Sequence, residues 1–286
     1  MTALARPLIL GGSGFVGREL MEYLSCPGTS SSTREGFSDV DATNPGRLLS
    51  VLSTLRPGVV INCVGLADVD RAEREPALAE ELNHRVVEHL VTVQRELPFE
   101  LVQISTDYVF DGERGNYAEE DPTHPVNQYG ESKLKGEHAV EGSSSALIVR
   151  ISSPFGRGFG ARKPQFFRYV VDTLRAGKPV RALTDQRVTA TFLPDLARAI
   201  TTLVERGTHG VVHVGSTEPL TRFEFARKVA ETVGADPDLV HPGLRSEMAQ
   251  WVARRPADTS LSVRRSERVG VRYTSVAAAL RELLND

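Results

Sequence analysis

The chain has 286 residues, of which 40% are hydrophobic and 25% charged, and its formal net charge at pH 7 is −3. This composition is ordinary for a globular protein, and the weak negative charge argues against a nucleic-acid backbone as the main partner. Apolar runs such as Leu8–Leu10 and Val59–Ile61 are far too short to span a membrane, and the N-terminus shows no signal-peptide cleavage site. Cys26 and Cys63 cannot build a disulfide framework, so we expect a reducing cytoplasm.

Short apolar runs alternate with amphipathic stretches along the chain. The predicted strands are Pro7–Leu10, Val59–Val64, Leu101–Ser105, Ala146–Ile151 and Val211–Val214. The predicted helices are Phe15–Leu24, Pro45–Leu55, Glu73–Glu96, Gln128–Val140, Phe166–Ala176, Pro194–Glu205, Arg222–Val233 and Thr274–Leu284. Between the first helix and Asp41 the sequence predicts only a short or irregular strand, around Gly28–Ser31. Alternating strands and helices predict a parallel sheet that helices cover on both faces.

A glycine-rich turn follows the first predicted strand directly and opens the first predicted helix. Its glycines repeat at the GxxGxxG spacing. The turn needs residues without a Cβ, and a pyrophosphate can then approach the backbone at the helix N-terminus. An ordinary glycine turn is the alternative, but the flanking strand and helix are what a dinucleotide site requires. The residues expected to contact a dinucleotide here are Gly11, Ser13, Gly14, Phe15, Val16 and Gly17.

The segment at the end of the short strand expected around Gly28–Ser31 indicates which nicotinamide cofactor is preferred. An NAD site usually offers a carboxylate there to the ribose hydroxyls, whereas an arginine suits a 2′-phosphate. Here the sequence has hydroxyl residues from Thr29 to Thr33, followed by Arg34. We therefore expect NADPH to be preferred, with Ser31 and Arg34 at its 2′-phosphate. Glu35 leaves NADH possible, and a solvated loop is the alternative.

A tyrosine, a lysine and a strand-end hydroxyl form a candidate catalytic set. Tyr129 and Lys133 stand at positions i and i+4 of the predicted helix Gln128–Val140, so they share one face. The ammonium, helped by the positive charge of an oxidised nicotinamide, is expected to lower the pKa of the phenol. Thr106 follows the strand Leu101–Ser105, at the edge where open α/β sheets bind ligands, and it can hydrogen-bond a substrate carbonyl oxygen. A lone YxxxK is common by chance, but this ordered set is much more specific.

At this point the chain resembles a known family. The run STDYVFDG at Ser105–Gly112, followed by YGESKLKGE at Tyr129–Glu137, is similar to the dTDP-4-dehydrorhamnose reductase family of extended short-chain dehydrogenases/reductases. The matching features span about residues 6 to 284. Further matches are NCVGLADVDRAE at Asn62–Glu73, Asn83, the pair Asp185-Gln186, and RPADTSL at Arg255–Leu261.

The resemblance implies an oxidoreductase that uses NADPH to reduce a 4-keto group on a nucleotide-activated deoxysugar. By this resemblance Tyr129 protonates the sugar carbonyl as hydride arrives, Lys133 binds the nicotinamide ribose and tunes the tyrosine, and Thr106 polarises the substrate oxygen. The other residues expected to contact the cofactor are Asp41 beside the adenine, Val64, Gly65 and Leu66 beneath the cofactor, and Ser105. The residues expected on the substrate side are Ala67, Asp107, Tyr108, Ser153 and Arg255.

Three departures from the family pattern lie on the substrate side. Ser153 stands where the family has a tryptophan, Ala67 stands where a threonine is usual, and Val188–Thr191 replaces a GSPT-like stretch. The identity of the sugar is therefore open. A sugar epimerase or an antibiotic-pathway ketoreductase on the same scaffold remains an alternative. So does a non-catalytic NADP-binding regulatory subunit similar to the β subunit of methionine adenosyltransferase.

These features together predict a Rossmann-type doubly wound parallel sheet with a smaller α/β substrate lobe toward the C-terminus. We expect residues 1–152 to form the NADP(H)-binding domain and residues 153–286 to form mainly the substrate lobe, with about 180–215 returning to the large domain. The partner is expected to be a small-molecule sugar nucleotide, with neither nucleic acid nor membrane, and the chain to be a monomer or homodimer. The histidines lack metal-ligand spacing, so no metal is expected. The remaining substrate candidates are Arg162, Lys163 and Arg254 for a pyrophosphate, with solvated surface charge as the alternative, and Trp251 for a nucleobase.

Overall fold

One central sheet of seven parallel strands organises the chain. The computed structural model describes residues 4–141, 143, 145–158 and 165–284. Its strands are β1 (Pro7–Leu10), β2 (Gly28–Ser30), β3 (Phe37–Asp39), β4 (Val59–Asn62), β5 (Glu100–Thr106), β6 (Ala146–Ile151), β7 (Val180–Leu183), β8 (Arg187–Val188), β9 (Gly210–Val214), β10 (Leu220–Thr221) and β11 (Val240–Gly243). The central sheet has the order β3-β2-β1-β4-β5-β6-β9, and every pairing in it is parallel. The predicted Rossmann-type α/β class is confirmed.

Helices follow most strands as the sequence pattern predicts. They are α1 (Phe15–Leu24), α2 (Pro45–Leu55), α3 (Val69–Arg74), α4 (Pro76–Glu80), α5 (Val86–Glu96), α6 (Gln128–Ala139), α7 (Phe166–Arg175), α8 (Leu193–Glu205), α9 (Arg222–Val233), α10 (Arg264–Val269) and α11 (Val276–Leu284). Shorter turns are a π-helical turn at Glu81–Arg85 and 3₁₀ turns at Asp107–Val109, Pro237–Leu239 and Arg245–Glu247.

Some details of the predicted elements are wrong. The predicted single helix Glu73–Glu96 is α3, α4, the π-helical turn and α5 in succession. Pro76 causes the first break, because a residue without an N–H fits the first position of a new helix but not a helix interior. The sequence pattern also did not predict the edge strand β3, the short strands β7, β8, β10 and β11, or the helix α10. The short strand expected around Gly28–Ser31 is confirmed as β2.

Alternate residues of each central strand face opposite layers of helices. In β1, Ile9 packs into the cluster that contains Leu20 of α1 and Leu196 of α8. Leu8 and Leu10 point the other way, into the cluster formed with α2 and α5. This arrangement buries both faces of the sheet, as parallel sheets require. It leaves the carboxyl ends of the strands as the edge where ligands bind.

A third hydrophobic cluster lies in the C-terminal half. It joins Phe155 to Phe167 of α7, Phe225 of α9 and Leu280 of α11. Beside it, β7 pairs in parallel with β11, and β8 pairs with β10 in an antiparallel way. The segment of about 180–215 was expected to return to the large domain. Within it, α8 packs on the central sheet and β9 is a strand of that sheet, whereas β7 lies in a separate two-stranded sheet. The domain boundary at residue 152 stays a prediction. In the described ranges no helix is long and apolar enough to cross a membrane.

Candidate active site

The glycine turn after β1 is packed too closely for side chains. Gly11 has a φ of +77°, and a Cβ there would lie 2.9 Å from the backbone nitrogen of Val64. At Gly17 an added Cβ would lie 2.5 Å from the carbonyl oxygen of Gly11, so α1 begins in direct contact with the turn. The turn therefore requires glycine at both positions, and it lies against the loop that follows β4.

The N-terminus of α1 faces the same edge of the sheet. Gly14 precedes the helix without any side-chain cap, and the first turn contains no acidic residue. The N–H groups that begin a helix lack intrahelical partners, and the helix dipole adds a partial positive charge. Ser13, Phe15 and Val16 are partly exposed at this point. The backbone there suits a pyrophosphate, so the glycine turn fits a dinucleotide.

The loop after β4 is fixed by one buried asparagine. Asn83, in the π-helical turn, accepts a hydrogen bond from the Leu66 N–H at 2.8 Å. Its amide donates to the Leu66 carbonyl at 3.3 Å and to Ser132 Oγ of α6 at 2.9 Å. A Cβ on Gly65 would lie 2.7 Å from Asn83 Oδ1 and 4.0 Å from Lys133 Nζ. Asn83 thus ties the predicted cofactor loop to α6, a role that its place in the sequence did not reveal.

Tyr129 and Lys133 are placed by the start of α6. Asn127 caps this helix by accepting a hydrogen bond from the Gly130 N–H at 2.9 Å, and its amide donates to the carbonyl of Arg254 at 2.8 Å. Lys133 is only 7% exposed, and its ammonium donates to the carbonyl of Ile104 in β5 at 2.6 Å. Burial lowers the pKa of Lys133 to about 8, against the opposing effect of the nearby Glu137.

Thr106 and Tyr129 meet at the end of β5. Thr106 is the last residue of that strand, and its hydroxyl lies close enough to Tyr129 to affect the pKa of the phenol. Burial raises the pKa of Tyr129, the charge of Asp107 raises it further, and the Thr106 hydroxyl opposes the rise. In the protein without cofactor burial has the largest effect on this pKa, and the Lys133 ammonium is bonded to Ile104. The lowering expected from Lys133 together with an oxidised nicotinamide stays a prediction. The phenol is neutral and can donate a proton.

Ser105 does not point into the cleft. Its hydroxyl donates to Glu137 of α6, which also accepts from Arg150 Nε at 3.0 Å and Arg150 Nη2 at 2.7 Å. The Glu137 and Arg150 side chains are 4% and 5% exposed. A cofactor contact from Ser105 would have to involve its backbone. The buried ion pair was not predicted, because nothing in the sequence links Glu137 with Arg150 in β6.

Asp107 is also buried, which changes its expected role. It is 3% exposed and accepts hydrogen bonds from Thr106, Ser152 and Thr259. Burial raises its pKa, whereas these hydrogen bonds and Arg222 lower it. Its carboxylate contacts protein hydroxyls, so a contact of Asp107 with the sugar would have to involve its backbone, and its place in the sugar pocket stays a prediction.

Tyr108 connects the catalytic end of β5 with the C-terminal half. Its ring lies edge-on to that of Tyr129, with 5.8 Å between the centroids. Its hydroxyl accepts a hydrogen bond from Gln186 Nε2 at 3.4 Å, and Gln186 Oε1 accepts from Arg222 Nε at 3.3 Å. Arg222 also donates to Ser153, and its guanidinium lies 4.9 Å from the Phe166 ring centroid. Ser153 thus belongs to a polar wall beside Tyr129.

Arg255 is engaged within the protein. It lies in a two-pronged ion pair with Asp70 of α3, at 3.0 Å for each contact, and 4.9 Å from the Trp251 ring centroid. Asp70 also accepts the backbone N–H groups of Val252 and Ala253 at 2.9 and 3.0 Å. This pair joins α3 to the C-terminal segment, so Arg255 has a structural role, and its binding of substrate stays a prediction.

Four other residues that were predicted to contact the cofactor or the substrate are exposed. Ser31 and Arg34 are exposed just beyond β2, and Arg34 Nε bonds Ser32 Oγ at 3.4 Å. Asp41 is exposed and accepts from Thr43 Oγ1 at 2.7 Å. Ala67 is exposed beside the loop after β4. Arg162 and Lys163 lie outside the described residues, as part of the stretch 159–164.

A second arginine, which the sequence pattern did not single out, lies near β2. Arg18 of α1 is exposed, and its guanidinium lies 5.1 Å from the ring centroid of Phe37. The Phe37 ring in turn faces Gly12, where an added Cβ would be 3.3 Å from it. Arg18 is therefore held beside the glycine turn on its β2 side. In the ranges that are described, no cluster of three His, Cys, Asp or Glu residues could hold a metal ion.

Glycine turn, strand-end hydroxyl and Tyr-x-x-x-Lys helix meet at the carboxyl edge of a parallel sheet, which defines a Rossmann-type protein of the short-chain dehydrogenase/reductase class. The chain belongs to the RmlD substrate binding domain family, whose model matches residues 5–286. It is 37% identical over 220 residues to a probable low-salt glycan biosynthesis reductase, Agl14, of Haloferax volcanii, covering 75% of this chain and 73% of that protein.

Two further similarities concern dTDP-4-dehydrorhamnose reductases. The enzyme of Streptomyces griseus is 34% identical over 264 residues, which cover 89% of this chain and 85% of that protein. The crystal structure of the Bacillus anthracis enzyme in complex with NADP superposes with a TM-score of 0.86 at 27% identity, covering 99% of each chain. The family resemblance that the sequence motifs carried is thus confirmed.

Proposed function

We propose that this protein is an NADPH-dependent reductase of the 4-keto group on a nucleotide-activated deoxysugar, of the dTDP-4-dehydrorhamnose reductase kind. One observation carries the proposal: Thr106, Tyr129 and Lys133 converge at the carboxyl edge of the sheet, beside the glycine turn. The names of the relatives support a reductase over an epimerase or a regulatory subunit. The presence of a neutral phenol beside a hydroxyl and a lysine supports catalysis over binding alone.

The residues present fit an NADPH molecule. The glycine turn and the uncapped start of α1 would hold the pyrophosphate. The loop of Val64, Gly65 and Leu66 would lie beneath the nicotinamide half, within reach of Lys133 for a ribose hydroxyl. Ser31 and Arg34 would meet the 2′-phosphate, because no carboxylate directly follows β2. The cofactor, when bound, supplies the hydride.

The chain itself supplies the proton and the orientation of the sugar. Tyr129 would donate its phenol proton to the carbonyl oxygen as that oxygen gains negative charge. Thr106, which lies near Tyr129, would turn its hydroxyl toward the same oxygen. Lys133 would hold the cofactor ribose and stabilise the phenolate that remains. Holding these groups in fixed positions contributes more to the rate of the reaction than any single group does.

The sugar would lie against Tyr108 and the polar wall of Ser153, Gln186 and Arg222 that adjoins it. A serine in place of the family's tryptophan leaves an arginine guanidinium as part of that wall. Free Cys26 and Cys63 support a reducing compartment such as the cytoplasm. We further propose a monomer or homodimer, which light scattering of the purified protein would determine.

The experiment follows NADPH oxidation at the nicotinamide absorbance with dTDP-4-dehydrorhamnose as substrate. Wild type is expected to turn over, and Tyr129→Phe is expected to lose at least about a hundredfold in kcat, because general acid catalysis contributes roughly 10²–10⁴-fold. Tyr169→Phe, at an exposed tyrosine of α7, is the matched control and should keep full activity. Tight NADPH binding without turnover would contradict the proposal and favour a regulatory role.

A further inference from the structure

Asp107 lies directly behind the hydroxyl of Thr106 and contacts three separate segments of the chain. Its Oδ1 accepts from Thr106 Oγ1 at 3.2 Å. Its Oδ2 accepts from Ser152 Oγ, just after β6, at 2.7 Å and from Thr259 Oγ1 in the C-terminal segment. Ser152 is fully buried, and Thr259 is 2% exposed. The carboxylate therefore joins three buried hydroxyl groups.

Three hydroxyl groups surround the Asp107 carboxylate. An ionised carboxylate accepts from all three hydroxyls at once, whereas a neutral one would have to donate to one of them. Burial raises the pKa of Asp107, but hydrogen bonds from hydroxyl donors stabilise a buried charge, and the Arg222 guanidinium acts in the same direction. The three hydroxyls and Arg222 thus favour the negative form of Asp107 next to Tyr129.

The hydrogen of Thr106 has only one place to go at a time. Its hydroxyl donates to Asp107 and accepts from the Tyr108 N–H at 3.2 Å, so it can donate to the oxygen of Tyr129 only when it leaves Asp107. The contact with Asp107 is longer than the usual O–H···O distance of about 2.7–2.8 Å, so it fixes the rotamer without being strong. A developing alkoxide would be a better acceptor and would take the hydrogen.

We propose that Asp107 is a positioning residue of the reduction: held by Ser152 and Thr259, its carboxylate sets the orientation of the Thr106 hydroxyl beside Tyr129. Because Thr259 comes from the C-terminal segment, Thr106 is oriented only when that segment is docked. The negative charge also keeps Tyr129 protonated, which is the form that donates to a carbonyl oxygen. This inference rests on the proposed function for its kinetic test.

The kinetic test removes one donor without touching the carboxylate. Thr259→Val keeps the shape of the side chain, and we expect kcat to fall about tenfold with both KM values within about twofold, because the lost hydrogen bond involves a charged group. Thr259→Ser restores the hydroxyl and should recover most of kcat. Thermal melting checks that both variants are folded. An unchanged kcat in Thr259→Val, or an equal loss in Thr259→Ser, would overturn the proposal.

A second test needs no turnover. Tyr129 is titrated by tyrosinate absorbance in the NADP⁺ complex, with the Tyr129→Phe protein as the blank, in wild type and Asp107→Asn. The groups that face Tyr129 are Thr106, Asp107 and Tyr108 from the end of β5, with Lys133 on its own helix. Loss of the negative charge should move the Tyr129 midpoint to lower pH by about one unit. An unchanged or higher midpoint would overturn the positioning role, whereas failure of wild type to reduce the sugar would count only against the proposed function.

Discussion

The buried ion pair between Glu137 and Arg150 offers a quantitative test of how α6 is held. Arg150 supplies three contacts to the Glu137 carboxylate, at 2.7 to 3.2 Å, and both side chains are about 5% exposed or less. Arg150→Met removes the guanidinium but keeps apolar volume, and it leaves Glu137 with Ser105 as its remaining donor among the described residues. An uncompensated buried charge costs about 3–5 kcal/mol.

That free energy corresponds to a large shift in melting temperature. At about 2–4 °C per kcal/mol for a chain of this size, Arg150→Met should lower Tm by roughly 6–20 °C. Circular dichroism melting at neutral pH measures it. The matched control is Arg181→Met, which breaks a 2.7 Å ion pair with Glu247 whose side chains are 61% and 41% exposed. Exposed ion pairs contribute about 0–1 kcal/mol to the free energy of unfolding, so the Tm of the control should barely change.

We also expect a second substitution to rescue the stability of Arg150→Met. The double variant Arg150→Met with Glu137→Met removes both charges and should recover most of the lost Tm, because a buried pair can be replaced by apolar groups at small net cost. If Arg150→Met melts within a few degrees of Arg181→Met, the pair does not hold α6 in the way described. A double variant that is less stable than the single one would point the same way.

Three further predictions concern the cofactor side. Lys133→Met should abolish turnover. At pH 7 this variant should be no less stable than wild type, because the pKa of the buried amine is lowered from 10.5 to about 8. Keeping that amine protonated reduces the free energy of unfolding of wild type by about 3 kcal/mol. The wild type should regain that difference as pH rises from 8 to 10.5, as urea unfolding at several pH values would measure. Gly17→Ala should raise the KM for NADPH at least about tenfold by opening the glycine turn, whereas Gly46→Ala inside α2 should leave it unchanged. Arg18→Leu should reduce the preference for NADPH over NADH about tenfold, measured as the ratio of kcat/KM values; an unchanged ratio would leave Arg34 as the phosphate contact.

The sequence predicted the elements whose formation depends on local patterns. Strands β1 and β6 and helices α1, α2 and α9 begin and end at the predicted residues, because apolar periodicity and helix-start signals such as Asn44 and Thr221 lie within each segment. The glycine turn was equally clear, since its spacing reflects close backbone contacts made within a few residues.

Features that depend on distant residues could not be predicted in this way. Asp107 was expected in the sugar pocket, but Thr259, which is 152 positions away, holds it inside the protein. Asn83 lies in the π-helical turn that interrupts the predicted long helix, and it contacts Ser132, 49 positions further on. Likewise, the raised pKa of Tyr129 follows from desolvation by the folded protein, which a YxxxK motif does not contain.

The most direct test of the central claim follows the hydride itself. NADPH carrying deuterium at nicotinamide C4 is incubated with dTDP-4-dehydrorhamnose and the wild-type protein, and the product is analysed by mass spectrometry and NMR. We predict that deuterium from one face of the nicotinamide appears at C4 of the sugar, and that Tyr129→Phe forms little of this product. Unlabelled product, or none despite bound NADPH, would contradict the assignment of this chain as a sugar 4-ketoreductase.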